Sequence, residues 1–204
     1  MTMAHAIRKA LSRAKRAFFR RNDSRLELLN RLPRGGVCAE IGVWKGDFSE
    51  RILAVTAPRA LHLVDPWQFQ PEFPERMYGG KVAKGQGDMD TMFEQVRERF
   101  RGRTNVEFHR GYSDSVLTQF NDGYFDWVYI DGNHYYEYVR RDLDLAFQKV
   151  RPGGYITGDD YNWGEDIGFP VRRAVESCIQ QYRPVVAPEV LGTQFLLVKN
   201  TEQT

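Results

Sequence analysis

Ala39-Glu40-Ile41-Gly42-Val43-Trp44-Lys45-Gly46 follows the apolar residues Val37 and Cys38 and precedes a helical pattern from Phe48 to Val55. A strand that turns into a helix through glycines has two physical consequences. The backbone can approach a ligand closely, and the amides at the helix start favour negative charge. The next apolar run, Leu61 to Val64, ends at Asp65, and an acid at the end of a second strand is placed to hold a ribose diol. Val43 stands where the dinucleotide fingerprint G-x-G-x-x-G needs its second glycine, which counts against a pyrophosphate and a nicotinamide cofactor. An adenosine with a shorter, zwitterionic tail fits better, with Glu40 meeting an ammonium and the amides around Gly42 and Gly46 facing a carboxylate.

Further along, strand-length runs alternate with helical patterns. Met92 to Phe100 and Ser113 to Phe120 read as helices, and Val106 to Phe108 and Phe125 to Ile130 as strands. Val139, Leu143, Ala146, Phe147 and Val150 form one helical face, and Pro152-Gly153-Gly154 launches the strand Tyr155 to Thr157. A last helix carries Val171, Val175, Cys178 and Ile179. Two strands near Pro184 to Val186 and Gln194 to Val198 then flank a turn at Gly192. This alternation predicts a Rossmann-like, doubly wound α/β sheet, mostly parallel, with helices on both faces. The segment from about 66 to 90 holds four glycines and three prolines without a clean period, and reads as a lid inserted into the domain.

Two acidic clusters end successive strands: Asp131 and His134 in V-Y-I-D-G-N-H, and Asp159-Asp160 in I-T-G-D-D-Y. Consecutive strand ends of a parallel sheet open on one crevice, and three carboxylates gathered there repel one another unless a cation lies between them. Magnesium, or manganese in its place, prefers such oxygen donors. Taken alone, Asp159-Asp160 could equally cap a turn, and Asp131 the next helix.

The chain has 204 residues, 42% hydrophobic and 27% charged, which suits one domain with a full core. Net charge is +2, yet residues 1–21 carry seven bases and no acid, so the rest of the chain is net negative. That acidic body is a poor nucleic-acid platform. The basic start has an apolar seam (Ile7, Leu11, Ala14, Phe18) and reads as a helical extension over residues 1–32, suited to packing on its own domain or to a homodimer more than to a membrane surface. No transmembrane run and no secretory apolar stretch occur, and the two cysteines, Cys38 and Cys178, fall at buried-type positions, so a cytoplasmic location is expected.

With these motifs in place, residues 36–200 resemble the class I S-adenosylmethionine-dependent methyltransferases. Ala39 to Gly46 looks like their first motif, Asp65 like their ribose acid, Gly111-Tyr112-Ser113 like the turn that meets the adenine, and Arg151-Pro152-Gly153-Gly154 like the turn before strand five. The resemblance implies a seven-stranded sheet whose last strand is antiparallel, a domain spanning residues 33–204, and S-adenosylmethionine as cofactor, with Trp67 stacked on the adenine or else filling the core and Asp131 beside the cofactor. Asp131, Asp159 and Asp160 are similar to the metal ligands of the metal-dependent O-methyltransferases. Enzymes of sugars, macrolides and small actinobacterial saccharides are the nearer likeness because of D-D-Y with Tyr161; catechol O-methyltransferase is more distant. In the catechol enzyme the pattern is D-x-x-K, whereas here His134 stands in the lysine's place. The implied activity is Mg-dependent methylation of a saccharide or glycosylated-metabolite hydroxyl, with His134 as general base. The walls of the acceptor site are expected from Tyr78, Tyr135, Tyr161 and Trp163. Alternatives are a phenolic small-molecule acceptor or a non-catalytic cofactor-binding module.

Overall fold

A computed structural model describes residues 24–182 and 189–201. The basic segment 1–21, and with it most of the expected extension, lies outside them, as does the strand expected at 184–186. Its described end, residues 24–31, is helix α1. Seven strands follow in chain order: β1 (Val37–Ile41), β2 (Ala60–Asp65), β3 (Val106–Arg110), β4 (Phe125–Ile130), β5 (Val150–Gly158), β6 (Glu189–Leu191) and β7 (Gln194–Val198). They form one sheet in the order β3-β2-β1-β4-β5-β7-β6. β1 to β5 pair in parallel and β7 runs antiparallel to β5, as expected. The order reverses between β1 and β4, the switch point where such sheets bind ligands.

The helices are α2 (Asp47–Thr56), α3 (Gln86–Arg99), α4 (Ser113–Leu117), α5 (Tyr136–Lys149) and α6 (Pro170–Gln181). They cover two apolar layers, one on each sheet face. Val128, Ile130, Leu143, Ala146 and Val175 belong to one, and Leu61, Leu63, Trp127, Met92 and Val96 to the other. Each fully buried residue of this size stabilises the fold by about 1.5–3 kcal/mol before entropy is counted. Cys38 and Cys178 are buried, unpaired thiols.

Three expectations change. α3 begins at Gln86, inside the expected lid, because its first turn is polar and exposed and carries little apolar period. The lid also contains a short wide helical turn, Met77–Lys81. β5 begins at Val150, and Pro152-Gly153-Gly154 forms an irregularity within it, where pairing jumps from Phe125–Val150 to Trp127–Tyr155. α1 docks through Leu28, Leu29 and Leu32, all buried, while Leu26 faces outward. No helix among the described residues is long and apolar enough to cross a membrane.

Candidate active site

The ends of β1, β2 and β4, the lid and α1 enclose a cavity of about 500 Å³. At one end lies the first loop. Gly42 has φ +86°, and a Cβ there would meet the Asp131 carbonyl oxygen at 2.2 Å, so only glycine allows β1 and β4 to lie this close where they end. Asp65 holds the loop from the other side: its Oδ2 accepts from the amides of Val43 (2.9 Å) and Trp44 (3.0 Å), and its Oδ1 from Trp67 (2.7 Å). Burial raises the Asp65 carboxyl above its ordinary value, and these three amides oppose the rise. Glu40 is fully buried, lines the cavity and accepts from Ser49 Oγ at 2.5 Å. Burial pushes its carboxyl up to about 8, against the Ser49 bond.

Beyond the Asp131 turn, Tyr112 and Ser113 line the cavity. Ser113 donates to Asp142, a buried acid on α5 whose carboxyl burial raises to about 7. Asp142 is a site residue that the sequence reading missed; its only signal is an acid within the apolar face of α5, one residue before Leu143.

At the far end, Asp131, His134 and Asp160 offer ligand atoms within 4.8 Å of one another. His134 Nε2 lies 3.4 Å from Asp160 Oδ2 and 3.8 Å from Asp131 Oδ1. Its Nδ1 is buried with no hydrogen-bond partner among the described residues. Asp160 reaches its position with φ +58°, a left-handed conformation unusual for a non-glycine residue.

Asp159 differs from expectation. It does not line the cavity with Asp131 and Asp160; it is buried behind them, accepting from Thr193 Oγ1 (2.5 Å), Gln194 Nε2 and the Asp160 amide (2.7 Å). Its Oδ2 takes Nε of Arg25 at 3.0 Å, and the same guanidinium donates to Asp131 Oδ2 at 2.7 Å. Burial opposes charge on Asp159, but Arg25 and these donors hold it below the usual carboxylate range. Burial likewise disfavours charge on Arg25, and Asp131 and Asp159 outweigh it. Arg25 also lies over the Phe48 ring, 4.8 Å from its centroid. Its signal was present in the sequence: Arg25 shares one helical face with Leu28, Leu29 and Leu32, a charge within an apolar stripe.

Trp67 takes the core-filling one of its two expected places, and four other expected residues are placed differently. Trp67 is fully buried in the core against Phe93, with Nε1 bonded to the Trp44 carbonyl at 2.9 Å, so its ring fills the interior and does not face the cavity. Gly46, at φ +78°, gives its space to the Phe100 ring, where a Cβ would come within 2.9 Å. Tyr161 is buried in the core near Phe195, drawn there by its apolar ring. Trp163 and Tyr135 lie one layer behind His134: the Trp163 ring is 5.3 Å from the imidazole and carries Arg76 at 4.2 Å. Tyr135 stacks on Phe73 and donates to Glu75. Tyr78 does line the cavity, as do Arg76, Met77 and Lys81 of the lid.

Known proteins share this fold. Similar solved structures include the O-methyltransferase NovP, 21% identical with a TM-score of 0.60, covering 87% of this chain and 80% of that one. TomG from Streptomyces achromogenes, an O-methyltransferase of tomaymycin synthesis solved in complex with SAM, is 19% identical with a TM-score of 0.60, covering 89% and 80%. A Bacillus cereus O-methyltransferase in complex with SAH is 16% identical with a TM-score of 0.57, covering 88% and 81%. At these identities the likeness is one of fold. No curated protein matches the sequence. A family model described as a methyltransferase domain matches residues 39–161, more than half of the chain and the whole stretch from Glu40 to Asp160, and by that match the chain belongs to the class I S-adenosylmethionine-dependent methyltransferases.

Proposed function

We propose that this protein transfers the methyl group of S-adenosylmethionine to a hydroxyl of a saccharide or glycosylated metabolite. The observation that carries this reading is the continuity of the cavity: Glu40, Gly42 and Asp65 at one end share it with Asp131, His134 and Asp160 at the other. The cofactor's ammonium would meet Glu40, and its ribose the rim of the loop held by Asp65. Held in that way, the cofactor would present its methyl group toward the end formed by Asp131, His134 and Asp160. Methyl transfer asks mainly for alignment of the attacking oxygen with the sulfonium, so a rigid loop facing a polar acceptor wall is a suitable frame.

The far end fits a divalent cation. Arg25 already places positive charge between Asp131 and Asp159, and the neighbouring donors are carboxylates and one imidazole. Asp131 and Asp160 face the cavity and would hold magnesium or manganese there, and Asp159, buried behind them, would join only once Arg25 moves aside. When bound, such an ion lowers the pKa of a coordinated hydroxyl. His134, beside Asp131 and Asp160 at this end of the cavity, is the side chain placed to take up the hydroxyl proton. Asp160 and Asp131 would steady the imidazolium that results. Trp163 and Arg76, packed behind it, fix the ring.

The test is calorimetric titration with S-adenosylmethionine, with magnesium or EDTA, followed by a methyl-transfer screen over saccharides and phenols. Cofactor binding is expected in both conditions and turnover on a sugar only with metal. Asp160→Asn is expected to cut turnover by about a hundredfold or more and to leave cofactor affinity within about threefold. Failure to bind the cofactor overturns the reading, and turnover confined to phenols overturns the acceptor.

A further inference from the structure

A second convergence of metal-type donors lies outside the cavity. Glu107 and His109 alternate on one face of β3, two residues apart, and so project to the same side. On β2 the register pairs His62 with Glu107, and His109 with Val64 one step on. Three side chains from two adjacent strands therefore meet. Nδ1 of His62 lies 3.0 Å from Nε2 of His109 and 3.5 Å from Oε2 of Glu107, and all three ligand atoms fall within 4.8 Å of one another. None of the three lines the methyl-transfer cavity.

We propose that His62, Glu107 and His109 form a metal site for zinc or a similar late divalent transition ion. Two imidazoles and one carboxylate are donors such ions prefer, in contrast to the oxygen-rich cluster at Asp131. Two nitrogens each about 2.0–2.1 Å from a tetrahedral ion stand about 3.3 Å apart, so the observed 3.0 Å needs only a few tenths of an ångström of opening. Hydrogen bonding alone serves the cluster poorly. One N–H at His62 Nδ1 can be given to His109 or to Glu107, not well to both. The Tyr124 hydroxyl lies 3.3 Å from His62 Nε2, the partner that would fix the tautomer with a lone pair on Nδ1. Phe120 packs edge-on against both imidazoles and restrains their rotation.

The burial gradient suits an open site. His62 is in the core, whereas the Glu107 side chain is 56% exposed, which gives an ion a way in and leaves a coordination position for water. β3 is the edge strand of the sheet and runs directly into Gly111, Tyr112 and Ser113 at the cavity wall. An ion clamping β3 to β2 would therefore stiffen that wall from behind.

Zinc is titrated into the metal-free full-length protein in competition with a chromophoric chelator, in an Asp160→Asn background that disables the cavity cluster. One zinc per chain is expected there. His109→Asn is expected to weaken it at least tenfold and to abolish the visible absorption of tetrahedral cobalt(II), and Glu107→Gln to weaken it less. Both substituted positions have solvent access, and circular dichroism reports whether each variant folds. Absence of zinc binding in the background protein, or unchanged affinity in both variants, overturns the site.

Discussion

The two ends of the cavity are built from different materials. The loop end is made of backbone: Gly42 brings strands β1 and β4 together, and one carboxylate, Asp65, gathers three amides of the surrounding loops. The carboxylate end is made of side chains whose charges balance only through tertiary contact, with Arg25 of α1 neutralising Asp131 and Asp159 from more than a hundred residues away. A backbone frame is set by local geometry and tolerates almost no change. A charge-balanced frame can exchange one cation for another.

Gly42→Ala tests the first half of that contrast and carries the largest expected effect. The new methyl would meet the Asp131 carbonyl at 2.2 Å with φ already at +86°, so either the strand ends part or the loop is rebuilt. A loss of about 3 kcal/mol or more in urea unfolding is expected, together with loss of cofactor binding. Gly46→Ala is the comparison: its φ of +78° strains an alanine as well, but its obstacle is the edge of the Phe100 ring and not a backbone carbonyl, so a smaller loss is expected. Equal effects at the two glycines would break the distinction between a frame held by backbone and a position set by packing.

Arg25→Ala tests the second half. It takes the Arg25 guanidinium from Asp159, whose side chain is fully buried, and breaking such a pair costs about 3 kcal/mol. The metal-free variant should melt below the parent protein, and magnesium should raise its melting temperature by more than it raises the parent's, since no guanidinium has to be displaced. Equal magnesium shifts in the two proteins would mean that Arg25 and the ion do not compete for one place.

This contrast also explains what could be read in the sequence. Glu40, Gly42 and Asp65 were legible because strand-loop-helix spacing alone fixes where they stand, and the parallel sheet with its terminal hairpin follows from the same alternation. Asp131, His134 and Asp160 were legible for a similar reason, as residues just past strand ends. Arg25 was not: sequence spacing says that it shares a face with Leu28 and Leu29, but not which acids that face will meet. The adenine-stacking reading of Trp67 and the acceptor-wall reading of Tyr161 failed in the opposite way. Each residue sits beside a site acid in sequence, yet a large ring there gains more from the core than from a wet cavity, and both rings turned inward. Asp142 carried a signal of the same kind as Arg25, an acid on the apolar face of α5, but the spacing does not say that Ser113 will meet it.

The smallest expected effect concerns proton linkage at Glu40, and it sharpens the account of the loop end. Burial lifts this carboxyl from an ordinary value near 4.5 to about 8, so in the free protein near neutral pH it is largely protonated. The ammonium of the cofactor favours the carboxylate. Binding below pH 8 should therefore release a proton, and affinity should rise by up to about tenfold per pH unit between pH 6 and 8, then level off. For folding the sign is reversed. A group that holds its proton more tightly when folded contributes stability that is fully present below about 4.5 and is lost as pH rises through about 8. The free protein should thus weaken across the same interval in which the cofactor binds more tightly. Titration calorimetry in buffers of different ionisation enthalpy counts the released proton directly, and Glu40→Gln should flatten both trends. A parent protein whose affinity is independent of pH and whose binding releases no proton would place the ammonium away from Glu40.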